Sequence, residues 1–193
     1  MTKTRLEAFS DAVIAILITI MILELKIPHG TTWEALTPVL PSFLTYILSY
    51  VYLGIYWNNH HHMFHATERV SGGVLWANLH LLFWLSLVPF TTGWMGQNHN
   101  APLPTAIYGC VLVMAAIAYT ILQNVIIKRH PDSMLARAVG SDLKGKISIV
   151  LYLIAIPAAF LHQLISDAIY VTVALIWLVP DRRIESRYAS HTS

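Results

Sequence analysis

The chain has 193 residues, 56% of them hydrophobic and 11% charged, with a mean hydropathy of +0.59. A soluble domain of this size carries about 25% charged residues, so this chain lacks the ionic groups to cover a water-facing surface and belongs in a bilayer. The net charge of +2 is too small to suggest nucleic acid. At roughly 20 apolar residues per crossing, about seven spans are the most it holds, with no room for a separate soluble domain or a soluble enzyme.

Long apolar runs interrupted by Pro, Gly and charge predict six helices in one membrane domain, at about 9–25, 38–57, 74–94, 105–127, 147–161 and 168–179. The first run contains Asp11 and Glu24 and lacks a small-x-small cleavage site, so it reads as a retained helix. Trp33, Trp57, Trp94 and Trp177 fall near span ends, where indole favours the membrane interface. Cys110 lies in an apolar run and is expected to be a buried thiol. Between the last two runs, His162-Gln163 and Ser166-Asp167 put polar groups where one long helix would cross the bilayer centre. A tight helical hairpin is expected instead, with Ser166 or Asp167 as N-cap.

Charge tests the span count independently, because adding or removing a span reverses the side of every later loop. With six spans, Lys3, Arg5, Arg69, Lys128, Arg129, Arg137, Lys144, Lys146, Arg182, Arg183 and Arg187 share one side, and only Lys26 lies opposite. That distribution predicts that both termini are cytoplasmic. It also accounts for the arginines near the C-terminus without a lipid-binding role.

The first span carries the unusual residues. Ionisable groups in membrane helices are costly unless paired or hydrated, yet Arg5-Leu6-Glu7-Ala8-Phe9-Ser10-Asp11 opens this one. Headgroup anchoring suffices for Arg5 and Glu7 but not for Asp11, which is followed by the uncharged run 12–23. At helical spacing Ile16, Thr19, Ile20 and Leu23 share one face, which Ala12 and Ile27 extend, and Asp11 points away from it. The pattern alone fits helix packing or lipid contact as well as a pore.

Arg5-x-x-x-Phe9-Ser10-Asp11 resembles the R-x-x-x-F-S-D signature of the endolysosomal potassium channel family and its bacterial homologues. The run 12–20, the Tyr56-Trp57-x-x-His60 to His65 region and the stretch from Asn78 to Phe90 are similar to that family as well. The resemblance implies a six-helix subunit without a re-entrant loop, assembled as a homotetramer with four first helices around the pore. Consistent with that, no T-V-G-Y-G filter occurs in the sequence. It further implies a constriction at Ile16, a hydroxyl layer at Thr19 and apolar rings at Ile20 and Leu23. Arg5, Phe9, Ser10 and Asp11 would form a structural network, with His60, Asn78 and His80 as candidate partners.

His60-His61-His62 and His65 invite a metal reading, but consecutive histidines point in different directions on a helix and cannot chelate one ion together. Polar interface residues that titrate near neutral pH are the expectation. The loop 97–100 reads as a solvated turn, and Glu24 as either a cation-attracting ring or an interfacial carboxylate paired with Lys26. The sequence is thus read as an all-α, non-P-loop, potassium-preferring and leak-like channel of a prokaryotic cytoplasmic membrane. Its partners would be its own copies, lipid and monovalent cations, with permeant K+ and no cofactor. A proton-coupled transporter cycling protons on Asp11 and the histidines is the alternative.

Overall fold

A computed structural model describes residues 2–65, 67, 70–129 and 142–178. The helices are α1 (Lys3–Met21), continued by a 3-10 turn (Ile22–Glu24), then a 3-10 helix (Trp33–Val39) leading into α2 (Leu40–His65). They are followed by α3 (Gly72–Ser86), α4 (Val88–Gln97), α5 (Pro102–Arg129), α6 (Leu143–Leu161) and α7 (Gln163–Leu178). Five segments are long and apolar enough to cross a membrane, α3 and α4 counting as one, and α7 is a shorter apolar helix.

Two breaks differ from the sequence expectation. The third span is two helices, because Pro89 has no N–H to offer the Leu85 carbonyl and interrupts the ladder. Leu87 N–H turns instead to the Trp84 carbonyl at 3.2 Å, and Thr91 N–H resumes the helix on the Leu87 carbonyl at 3.1 Å. The hairpin between α6 and α7 turns at His162, which is extended (φ −161°, ψ 113°), four residues before the expected cap. Ser166 lies inside α7 and donates across the hairpin to the Ala155 carbonyl at 2.6 Å. With one extended residue closing the turn, the polar side chain that follows tethers the two helices and caps neither.

Side-chain bonds give the direction of each helix. Ser10, His60 and Asn78 meet at one end of the bundle, and Met21, Ser49 and Thr92 nearer the other. Tyr119 reaches Asn59, and Trp177 reaches Ser148. Successive crossings therefore reverse, and Lys3, Arg5, Lys128, Lys144 and Lys146 fall at one end while Lys26 falls at the other. Arg69, Arg137, Arg182, Arg183 and Arg187, and the side chain of Arg129, lie outside the described residues.

Two cores fill the bundle. One joins α1 to α2, α3 and α5 through Leu6, Ile14, Leu17, Leu53, Phe64, Leu81, Leu85 and Leu122. The other joins α2, α5, α6 and α7 around Tyr52, Tyr108, Tyr152 and Tyr170. Gly109 admits this second core, since a Cβ there would collide with the Tyr170 hydroxyl. Cys110, expected to be a buried thiol, is only half-buried.

Candidate pore helix and its tethers

α1 packs within the protomer mainly on α2, α3 and α4. Leu6, Ser10, Ile14, Leu17 and Met21 form its buried face, repeating at intervals of four and three residues as a single stripe. The opposite face is open: Ile16 is 57% exposed, Ile20 40% and Leu23 79%, with Ala12 and Thr19 exposed between them. The four residues assigned to the pore by resemblance therefore share a face that no helix covers among the described residues. Thr19 donates its hydroxyl proton to the Ile16 carbonyl at 2.9 Å. With the proton turned into the helix, the oxygen retains lone pairs that can accept from water or meet a cation.

The signature residues divide into separate groups. Ser10 is fully buried; it donates to the Leu6 carbonyl at 2.9 Å and accepts from the Asn78 amide at 2.9 Å. The Asn78 carbonyl then accepts from His60 Nε2 at 2.7 Å, so a continuous chain links α1, α3 and α2. Since the Asn78 amide hydrogen points to Ser10, the order of donors requires the proton of His60 on Nε2. Asp11 lies beside this chain but bonds elsewhere, accepting from the Trp57 indole at 3.0 Å.

Two expectations for the network are corrected. His80 does not join it, because its Nε2 accepts from Trp84, one turn away on α3, at 2.9 Å. Arg5 and Phe9 are exposed beside the open face, and Arg5 has no hydrogen bond or ion pair among the described residues. Helical geometry separates them from Ser10, whose side chain points into the bundle. Trp57 and Trp177, expected as interface anchors, direct their indole N–H groups to Asp11 and Ser148; Trp33, 85% exposed, has the environment of an anchor.

Glu24 makes no ion pair with Lys26 and instead lies against Gly93, where an added Cβ would sit 3.0 Å from Oε2. The histidine region belongs to α2, which runs past position 57 to His65. His60 is buried, whereas the His61 ring stacks on Trp57 at 6.2 Å and lies beside His62 at 5.7 Å. The His65 side chain lies outside the described residues. Among the described residues no three His, Cys, Asp or Glu gather as a metal site.

Sequence reasoning missed a second buried chain, in which Thr92 donates to Ser49 at 2.7 Å and Ser49 meets the Tyr108 hydroxyl at 2.9 Å. Its signal was present: isolated hydroxyls in apolar membrane runs need partners, and Ser49 and Thr92 are such residues.

The architecture defines a helical membrane protein whose first helix is tethered on one face and unfilled on the other. Residues 5–89 match the family described as the endosomal/lysosomal potassium channel TMEM175. A potassium channel of a Chryseobacterium species is 57% identical over 186 residues, 96% of this chain and 97% of that protein. The endosomal/lysosomal proton channel TMEM175 of Gallus gallus is 38% identical over 116 residues, covering 52% of this chain and 23% of that one. The crystal structure of a lysosomal potassium-selective channel TMEM175 homolog from Chamaesiphon minutus superposes with a TM-score of 0.77 at 26% identity, covering 92% of this chain and 96% of that one. The chain belongs to the TMEM175 family, a family of channels and not of enzymes.

Proposed function

We propose that this protein is a potassium-preferring, leak-like cation channel, active as a homotetramer with four α1 helices around the conducting axis. The observation that carries this reading is the two-faced α1, fastened to α2 and α3 by Ser10, Asn78 and Asp11 and open along Ile16, Thr19, Ile20 and Leu23. Four Ile16 side chains converging on an axis leave an apolar neck in which water, and hence a hydrated ion, is unstable; dilation admits the ion. The Thr19 oxygens, one turn further on, replace part of the ion's hydration shell. Ile20 and Leu23 extend the apolar wall. Potassium is favoured over sodium because it gives up water more readily, and selectivity is modest because the wall offers few oxygens. No cofactor takes part; K+ is the permeant ion, and lipid covers the outward faces.

The clustering of Lys3, Arg5, Lys128, Lys144 and Lys146 at one end supports an orientation with both termini cytoplasmic in a prokaryotic inner membrane. Reconstitution in liposomes with opposed potassium and sodium gradients tests the reading. The reversal potential is expected to lie on the potassium side. A current that follows only an imposed proton gradient would favour the proton-coupled alternative, and no ion-selective current at any pH or voltage overturns the channel.

A further inference from the structure

A second feature lies behind α2, lined by no residue of α1. A cavity of about 40 Å³ opens among α2, α5, α6 and α7, walled by Tyr52, Tyr56, Tyr119, Tyr152 and Trp177, with Asp142 at its edge. The rings meet edge to face: Tyr56 and Tyr119 at 6.1 Å and 66°, Tyr52 and Tyr152 at 6.2 Å and 61°, so the walls stand at steep angles to one another. The polar ends of three of them are already bonded. Tyr52 donates to the Tyr170 carbonyl at 2.6 Å, Tyr119 to the Asn59 carbonyl at 3.4 Å and the Trp177 indole to Ser148 at 2.8 Å. What remains for an occupant is mainly ring surface, with Asn59 and Thr120 also in the wall, and the π faces of the rings attract cations.

Asp142 supplies the matching charge. It sits in the left-handed region (φ 41°) before α6, and Oδ1 accepts from Gly145 N–H at 3.2 Å. Among the described residues its Oδ2 has no hydrogen bond or ion pair, and no Lys, Arg or His lines the cavity. An anion finds no countercharge there. Bare K+ finds too few oxygens to replace its water. At roughly 10–15 Å³ per water-sized position, the volume holds a chain of about three heavy atoms.

We propose that this cavity binds an organic ammonium group of the form –CH2–CH2–NH3+, the hydrocarbon stem against the rings and the charge shared by their faces and Asp142. A free amine and an ethanolamine lipid headgroup offer the same chemistry. The site does not depend on the pore reading, and its test does not involve ion flux.

The full chain, purified in detergent without amine lipid, is heated with increasing ethylammonium chloride, with KCl and tetraethylammonium chloride as controls at equal ionic strength. Ethylammonium is expected to raise the Tm saturably, and the controls are not. Asp142→Asn preserves an N-cap residue that tolerates left-handed backbone but removes the charge. Both it and Trp177→Leu are expected to raise the half-saturating concentration by about tenfold. If Trp177→Leu fails to fold, Asp142→Asn and the tetraethylammonium control decide. No saturable rise, an equal rise with either control, or unchanged half-saturation in Asp142→Asn overturns the proposal. Nanodiscs with and without phosphatidylethanolamine identify the source: loss of the ethylammonium effect only in discs containing that lipid assigns the headgroup, and persistence in both assigns free amine.

Discussion

The two sides of the protomer use side-chain and backbone acceptors in different proportion between their helices. Around α1 the bonds run between side chains: Asn78 to Ser10, His60 to Asn78, Trp57 to Asp11. Around α5, α6 and α7 side-chain pairs also occur, Trp177 to Ser148 and Ser49 with Tyr108, but three buried side chains turn to backbone carbonyls: Tyr52 to Tyr170, Tyr170 to Thr105, Ser166 to Ala155. A carbonyl is present at every residue and accepts from any well-placed donor, whereas a side-chain pair demands two particular residues in register. Among the described residues α1 has only one face in contact with its own protomer, so apolar packing has half the usual surface on which to orient it. Directional bonds supply that orientation and leave the other face free of packing demands. α6 and α7 likewise bury one face, but that face packs on the tyrosine core, and there the hydrogen bonds to carbonyls supplement the packing.

The largest effect should come from the open face. Ile16→Asn removes nothing that packs within the protomer, so thermal stability should hold, while an amide in the apolar neck lowers the cost of wetting it. Potassium flux in liposomes should rise by at least about tenfold, since polar-group transfer is worth several times the 1.36 kcal/mol that a decade of rate requires. Unchanged flux from a well-folded variant would remove Ile16 from the gate. On the tethered face the order reverses. Asn78→Ala leaves Ser10 and His60 without their shared partner, and should lower unfolding stability by about 1–3 kcal/mol while the potassium-to-sodium reversal potential of surviving channels stays where it was. A shift in selectivity without loss of stability would mean that this chain belongs to the ion path.

In the rear core, Tyr170→Phe deletes one hydroxyl, while the Thr105 carbonyl retains its place in the α5 ladder. A loss of about 1 kcal/mol in Tm-derived stability is expected, with flux unchanged. A loss as large as that of Asn78→Ala would end the distinction between the two sides.

Much of α1 was legible beforehand. Its uncharged run and helical spacing placed Ile16, Thr19, Ile20 and Leu23 together, and the structure leaves that face open. Less legible were the partners. Asp11 has Trp57 where histidines or Asn78 were expected, and His80 turns to Trp84. Periodicity reports the direction of a side chain on its own helix, but a hydrogen bond also depends on the height and rotation of the facing helix. The break at Leu87 was hidden for a related reason: Pro89 occurs within an unbroken apolar run, and hydropathy does not register a missing N–H donor.

Composition and periodicity alone determined that this is a helical membrane protein, that Lys3, Arg5, Lys128, Lys144 and Lys146 lie opposite Lys26, and that its first helix has an uncharged, threonine-bearing stripe. These are properties of residues along a single axis, set by transfer energy and helical pitch. Only the tertiary structure decided that the stripe is open while Ser10 is buried, that the α6–α7 turn falls at His162, and that five aromatic side chains and Asp142 surround one cavity. Each of those depends on residues far apart in the chain meeting at bonding distance, which helix-to-helix packing sets and local sequence does not.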